Sequence, residues 1–242
     1  MSFYSAIRSK LSSIRLTLGN SLGSFPHIHE AEHTPNEGEI EGDPEESPLL
    51  VLCTLKGING VPIAGATIDV WETDSKGFYD VKYAEQNDPD GRAVLTSDDE
   101  GNFFFKAIVP VPYPIPHDGP CGKLLTVLKR HPYRPSHMHF MFEKDDYDPL
   151  ITALYLKNHP YESSDAVFGV KKSLLVELSK VEDKHIAQKH SVELGCALMT
   201  YDFILVTEEA TKDLRQKLAA EVMESEGKKV RFLDGLPVPY VN

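Results

Sequence analysis

At 242 residues, with 41% hydrophobic and 26% charged residues, the chain can bury a substantial core, either as one β-rich domain or as two small ones. No apolar run approaches the roughly 20 residues that span a bilayer, so a membrane protein is not expected. The formal net charge of −12, with no stripe of Lys and Arg, argues against a nucleic-acid partner and for a small molecule, because phosphate binding needs clustered cations.

Residues 1–20 carry Arg8, Lys10 and Arg15 among serines, with Phe3, Ile7, Leu11, Ile14 and Leu18 at helical spacing. The pattern predicts a short amphipathic basic helix, either a docking helix or a transit peptide; it has no apolar stretch that would make it a secretory signal. Residues 21–48 are polar, acidic and punctuated by Pro and Gly, and are expected to form an irregular connection. Its histidines His27, His29 and His33 read as solvated side chains rather than metal ligands. Cys53, Cys121 and Cys196 are odd in number, far apart and without a C-x-x-C spacing. They predict neither a disulfide framework nor a thiolate site, and suit a cytoplasmic protein.

Seven short runs rich in β-branched and aromatic residues follow: 49–56, 65–72, 92–96, 102–109, 137–143, 151–157 and 198–206. Turn residues separate several of them, including Gly57 and Gly60, the stretch 75–77, the stretch 88–91 and the stretch 98–101. The expected class is all-β, a two-sheet sandwich or a barrel over 49–206. Residues 207–242 should form a C-terminal helix, opened by Thr207 as N-cap and running over 208–224, and a tail.

Within the strand region, His137 and His139 alternate across Met138, so a strand turns both imidazoles to one face and Met138, Phe140 and Phe142 to the other. Two imidazoles so placed can share an ion, or can simply be hydrogen-bonded core residues. Tyr113 stands among Pro110, Pro112, Pro114 and Pro116, which predict a stiff extended loop that cannot join a central strand. That loop either aims the phenol or merely packs it on prolines. Tyr79, just after the Trp71 strand, is open to the same two readings, as a ligand or as a surface aromatic. Taken together, Tyr79, Tyr113, His137 and His139 form a hard donor set that suits ferric iron. A phenol titrates near pH 10 and binds as phenolate only to a cation of high charge density, whereas zinc sites rely on thiolate, imidazole and carboxylate. Arg134, three residues before His137 and held extended by Pro135, would lie beside such a metal as a permanent cation.

The strings GVPIAGATIDVWETDSKGFYDVKY, DGRAVLTSDDEGNFFFKAIVPVPYPIPHDGPCGKLL and RHPYRPSHMHF resemble the intradiol ring-cleavage dioxygenases over roughly residues 49–206. PYPIPHDGP followed by YESSDAVFGVKKSL is most similar to the hydroxyquinol 1,2-dioxygenase branch. The resemblance implies a β-sandwich carrying non-haem Fe(III) and the cleavage of an ortho-diol with O2. It assigns Tyr79, Tyr113, His137 and His139 to the metal, and Arg134 and Tyr113 to catalysis. It assigns Ile115, Pro116 and Val167, with Gly23 and Phe25 of LGSF, to the substrate pocket.

Two departures accompany the resemblance. A helical dimerisation domain ordinarily precedes the LGSF-like segment, yet only residues 1–20 do here, so the expected architecture lacks most of that domain and the expected state is a monomer or a non-standard homodimer. Ala153 occupies the position at which the family places a polar Gln or His. The rival readings are a transthyretin-like sandwich or degenerate dioxygenase that binds without turnover, and a zinc hydrolase using the H-x-H pair, which would need a third His, Asp or Glu ligand.

Overall fold

Alternation of buried and half-buried positions along the longer strands builds the two main sheets. In the strand Pro48–Gly57, Val51, Cys53 and Leu55 are buried with half-buried Leu52 and Thr54 between them, as expected when side chains alternate across the pleat, while Leu49 and Leu50 are both buried, in separate clusters. The computed structural model describes residues 33–35, 37–39, 47–80, 91–228, 230–233 and 236–240.

The strands, in chain order, are β1 (His33–Pro35), β2 (Glu37–Glu39), β3 (Pro48–Gly57), β4 (Thr67–Trp71), β5 (Arg92–Thr96), β6 (Asn102–Ile108), β7 (Tyr113–Pro114), β8 (Tyr133–Arg134), β9 (His137–Glu143), β10 (Leu150–Leu156), β11 (Leu175–Val176), β12 (Ser179–Lys180), β13 (Ala197–Leu205), β14 (Val230–Leu233) and β15 (Leu236–Pro239). One sheet runs β1-β5-β4-β9-β10-β11 and the other β12-β13-β3-β6-β2. Phe140 and Phe142 of the first meet Phe103, Phe105 and Phe203 of the second, with ring centroids 4.6 Å apart for Phe142–Phe203 and 4.9 Å for Phe140–Phe203. This aromatic layer is the centre of the core, and each such ring removes a large apolar area from water. The architecture is the all-β, two-sheet sandwich that the strand pattern predicts, and each of the seven predicted strands is present.

The structure corrects three expectations. The acidic stretch before residue 48, read as irregular, supplies β1 and β2, which pair parallel to β5 and β6 at the sheet edges. Edge pairing uses backbone donors and acceptors and needs no apolar pattern, so hydropathy gave no sign of it. Tyr113 and Pro114, read as loop, form a two-residue ribbon with β8, in which Tyr113 lies opposite Arg134. A proline is tolerated there because a two-stranded ribbon leaves one edge of each strand unpaired. The tail after the C-terminal helix returns as the β14–β15 hairpin.

Among the described residues the α-helices are α1 (Pro120–Val127), α2 (Lys184–Lys189) and α3 (Glu208–Ser225). The first two are not among the elements expected from the sequence, and α1 is opened by Pro120 in its first turn. The third is the predicted one, its first turn closed by the Thr207 hydroxyl accepting from the Ala210 N–H at 3.3 Å. Residues 1–20, with their predicted helix, and Gly23, Phe25, His27 and His29 lie outside the described residues. No helix among the described residues is long and apolar enough to cross a membrane.

Candidate metal centre

Strand β9 presents His137 and His139 on the face opposite the core stripe of Met138, Phe140 and Phe142, and their Nε2 atoms stand 3.1 Å apart. Each ring is held from the side. Trp71 lies opposite His139 in the β4–β9 ladder and stacks on its ring at 5.0 Å with an interplanar angle of 9°. Tyr155 lies opposite His137 in the β9–β10 ladder and stacks at 5.3 Å and 27°. The Pro135 carbonyl, 2.6 Å from His137 Nδ1, accepts that nitrogen's proton, which leaves Nε2 with a lone pair.

The β7–β8 ribbon brings Tyr113 over this pair. Its hydroxyl is 3.3 Å from His137 Nε2 and 2.8 Å from the Tyr79 hydroxyl. Tyr79 arrives from the turn after β4, where Asp74 Oδ1 accepts from the backbone N–H groups of Lys76 and Phe78. Gly77 closes that turn at φ +80°, and a Cβ there would stand 2.8 Å from Tyr113 Cβ. The two tyrosine segments therefore meet only because residue 77 has no side chain. Gly77→Ala is expected to destabilise the protein by about 2 kcal/mol and to lower metal affinity, since it adds left-handed strain to a collision with Tyr113. Urea unfolding and metal titration of the variant check this, and an unchanged midpoint would contradict it.

Tyr79 Oη, Tyr113 Oη, His137 Nε2 and His139 Nε2 thus form a chain of contacts of 2.8, 3.3 and 3.1 Å. Oxygen and nitrogen ligands about 2.0–2.2 Å from one metal ion sit roughly 3 Å from each other, and each of the three contacts is of that length. The chemistry of the donors fits a hard ion. Burial, reinforced by the neighbouring Tyr113, holds the Tyr79 phenol well above its ordinary range, so only a strongly charged cation can take its proton. Among the described residues no group of three or more His, Cys, Asp and Glu gathers as a metal site, which leaves the H-x-H pair without the third ligand that a zinc hydrolase needs.

Both imidazoles are neutral. Burial first, then the Arg134 guanidinium, holds His137 well below the usual histidine range and His139 down to about 3. The folded values lie below the unfolded value of about 6.5, so the unfolded chain binds protons that the native site refuses. The metal-free protein should therefore lose stability as pH falls from about 6.5 toward 3, by up to about 1.4 kcal/mol per pH unit for each histidine, with no such dependence above pH 7. Urea midpoints across that range, compared between wild type and His139→Gln, isolate the contribution; equal slopes in the two proteins would contradict it.

Arg134 is buried beside the histidines. Its Nη1 donates to His137 Nε2 at 2.9 Å, its Nη2 to the Tyr155 hydroxyl at 3.0 Å and its Nε to Asp165 Oδ1 at 3.3 Å. Burial works against its charge, but Tyr113, Tyr155 and Asp165 more than offset this and leave the guanidinium firmly protonated. The pocket residues inferred from the resemblance are less tightly placed. Ile115 is half-buried and follows the ribbon, its N–H bonded to the Pro132 carbonyl at 2.9 Å, while Pro116 is exposed. Val167 is half-buried and one hydrogen bond from the site, its N–H donating to Asp165 Oδ1 at 3.3 Å. Ala153 is fully buried opposite His139 in the ladder.

Trp71, Tyr155, Asp165 and Gly169 were not singled out in the sequence. For Tyr155 a signal existed, because it stands two residues from Ala153 and so shares its face. Asp165 and Gly169 come from a turn without periodicity, inside the string YESSDAVFGVKKSL that carries the resemblance but assigns neither of them a part.

A two-sheet sandwich thus gathers two phenols and two neutral imidazoles beside a buried guanidinium. A family model described as Dioxygenase matches residues 23–207, and the chain belongs to the intradiol ring-cleavage dioxygenase family. It is 57% identical over 223 residues to the intradiol ring-cleavage dioxygenase hqdA of Aspergillus niger, an alignment covering 92% of this chain and 67% of that protein. It is 41% identical over 190 residues to the hydroxyquinol 1,2-dioxygenase of Rhizobium sp., covering 76% of this chain and 63% of that one. The solved hydroxyquinol 1,2-dioxygenase of Pseudomonas putida DLL-E4 superposes with a TM-score of 0.75 at 32% identity, over 86% of this chain and 72% of that one. The chain spans about two thirds of the length of the curated relatives it matches.

Proposed function

We propose that the chain carries the active site of a non-haem Fe(III) intradiol dioxygenase, which opens the ring of an ortho-diol of the hydroxyquinol or catechol type between its two hydroxylated carbons. Both atoms of O2 enter a muconate- or maleylacetate-type product, and no external reductant is consumed. The observation that carries this reading is the contiguous set of four hard donors, Tyr79, Tyr113, His137 and His139, at spacings of 2.8, 3.3 and 3.1 Å. The names of the Rhizobium and Pseudomonas relatives favour hydroxyquinol. The retained donors favour catalysis over a carrier that has kept only the sandwich.

Tyr79, Tyr113, His137 and His139 would hold the ion. Ferric iron, when bound, supplies a Lewis acid that acidifies the two diol hydroxyls and prepares the ring for O2. The chain's own residues do the rest. Tyr113, whose hydroxyl lies between Tyr79 and His137, is placed to take up a diol proton. Arg134 offsets the negative charge of the diolate and of the oxygen that reacts with it. Pro135 fixes the tautomer of His137, and Trp71 fixes the plane of His139. Ile115, Pro116 and Val167, with Gly23 and Phe25, would bound the ring and set which substituents it can carry. The three cysteines are free, with Cys53 and Cys196 buried and Cys121 exposed, which supports a reducing, cytoplasmic setting.

Oxygen uptake by iron-loaded protein tests the reading. With 1,2,4-trihydroxybenzene and with catechol, one O2 should be consumed per diol, and label from 18O2 should appear in both new carboxylates. Iron-loaded protein that binds these diols and consumes no O2 would overturn the proposal in favour of a binding module.

A further inference from the structure

Arg134 has three guanidinium nitrogens, and two of them are already spoken for. Nε donates to Asp165 Oδ1 at 3.3 Å, Nη2 donates to the Tyr155 hydroxyl at 3.0 Å, and Nη1 alone faces the donor cluster, at 2.9 Å from His137 Nε2. All three residues are buried: Arg134 is 6% exposed, Asp165 4% and Tyr155 0%. We infer that Asp165 and Tyr155 are positioning residues that clamp Arg134 from behind, so that Nη1 is the one nitrogen presented to the diol. The inference rests on the functional reading above and names residues to which that reading gives no part.

The surroundings are built for the clamp. Asp165 is itself oriented by the N–H groups of Val167 at 3.3 Å and Gly169 at 2.7 Å. A carboxylate so oriented keeps one lone pair aimed at Nε. Gly169 closes the back of the assembly: a Cβ on it would stand 2.6 Å from the Tyr155 hydroxyl, 3.0 Å from Arg134 Nη2 and 3.1 Å from Asp165 Oδ2. Tyr155 also explains how the chain tolerates Ala153. Both lie on the same face of β10, opposite His137 and His139 respectively, so the phenol two residues along the strand supplies a polar group beside the site that Ala153 cannot. The same Asp165 ties Arg134 to Val167, so the cationic group and a pocket wall are fixed by one carboxylate.

The isosteric variants Tyr155→Phe and Asp165→Asn test the clamp in the full-length iron-loaded protein. Each should keep its iron and its colour and lose kcat by about 10- to 100-fold with a smaller change in KM, because a misdirected guanidinium fails the reaction more than it fails binding. In an Arg134→Gln background neither substitution should lower kcat further, since the group that they position is gone. Equal losses with and without Arg134, or no loss in either variant, would overturn the inference. A second measurement does not depend on turnover. In the metal-free full chain, the Arg134 Nε–H resonance, identified by its disappearance in Arg134→Gln, should exchange with water at least about tenfold faster in Asp165→Asn than in wild type. An unchanged exchange rate would contradict the clamp. Absence of diol cleavage by wild type would instead count against the proposed function and leave this arm to decide the clamp alone.

Discussion

Tyr113→Phe should cost about 10³-fold or more in turnover and part of the red-brown absorption, while leaving the fold intact. The substitution removes one oxygen and keeps the ring that stacks on His137 at 5.3 Å, so packing survives and stability should shift by no more than about 1 kcal/mol. Under the proposed function two roles go with that oxygen: one of two phenolate donors to the metal, and the group placed to accept a diol proton, a role commonly worth 10²- to 10⁴-fold in rate. Metal analysis, visible absorption and oxygen uptake on the same preparation separate the two losses. Turnover near the wild-type rate in this variant would remove Tyr113 from the site.

Arg134→Gln should be the most damaging of the substitutions for stability and also severe for catalysis. Arg134 and Asp165 form an ion pair with both side chains almost wholly buried, and removing one partner of such a pair leaves a charge in a poor solvent, at about 3 kcal/mol or more. The Val167 and Gly169 N–H groups keep part of Asp165 satisfied, which holds the cost near the lower end of that range. In the reaction, a cation aimed at developing negative charge is lost, and turnover should fall by about 10²- to 10³-fold. Urea unfolding and steady-state kinetics read the two effects separately. A variant as stable as wild type would show that the pair is not the tight internal contact described here.

Much of this molecule was legible before any coordinates. Runs of β-branched and aromatic residues bounded by turn residues placed all seven principal strands, because such side chains suit a pleated, buried surface whether one face is covered, as in β5 and β6, or both, as in β9. The H-x-H pair was legible too, since strand alternation alone places His137 and His139 side by side. What escaped were features that live in the backbone or in three dimensions. Strands β1 and β2 are held by edge hydrogen bonds that demand no particular side chain. The Tyr113 ribbon was masked by the prolines around it. The Asp165 contact with Arg134 spans 31 residues of sequence and comes from a turn without periodicity. The convergence of Tyr79 on Tyr113, across 34 residues, depends on Gly77 having no side chain, and nothing in the local pattern announces that requirement.

The central claim is that four side chains hold one ferric ion, and the visible and resonance Raman spectra of the iron-loaded protein test it most directly. About one iron per chain should bring a broad phenolate-to-iron charge-transfer band with tyrosinate vibrations, weakened in Tyr113→Phe and in Tyr79→Phe and absent when both are replaced. Iron bound with no tyrosinate signature, or a signature indifferent to both substitutions, would contradict the account.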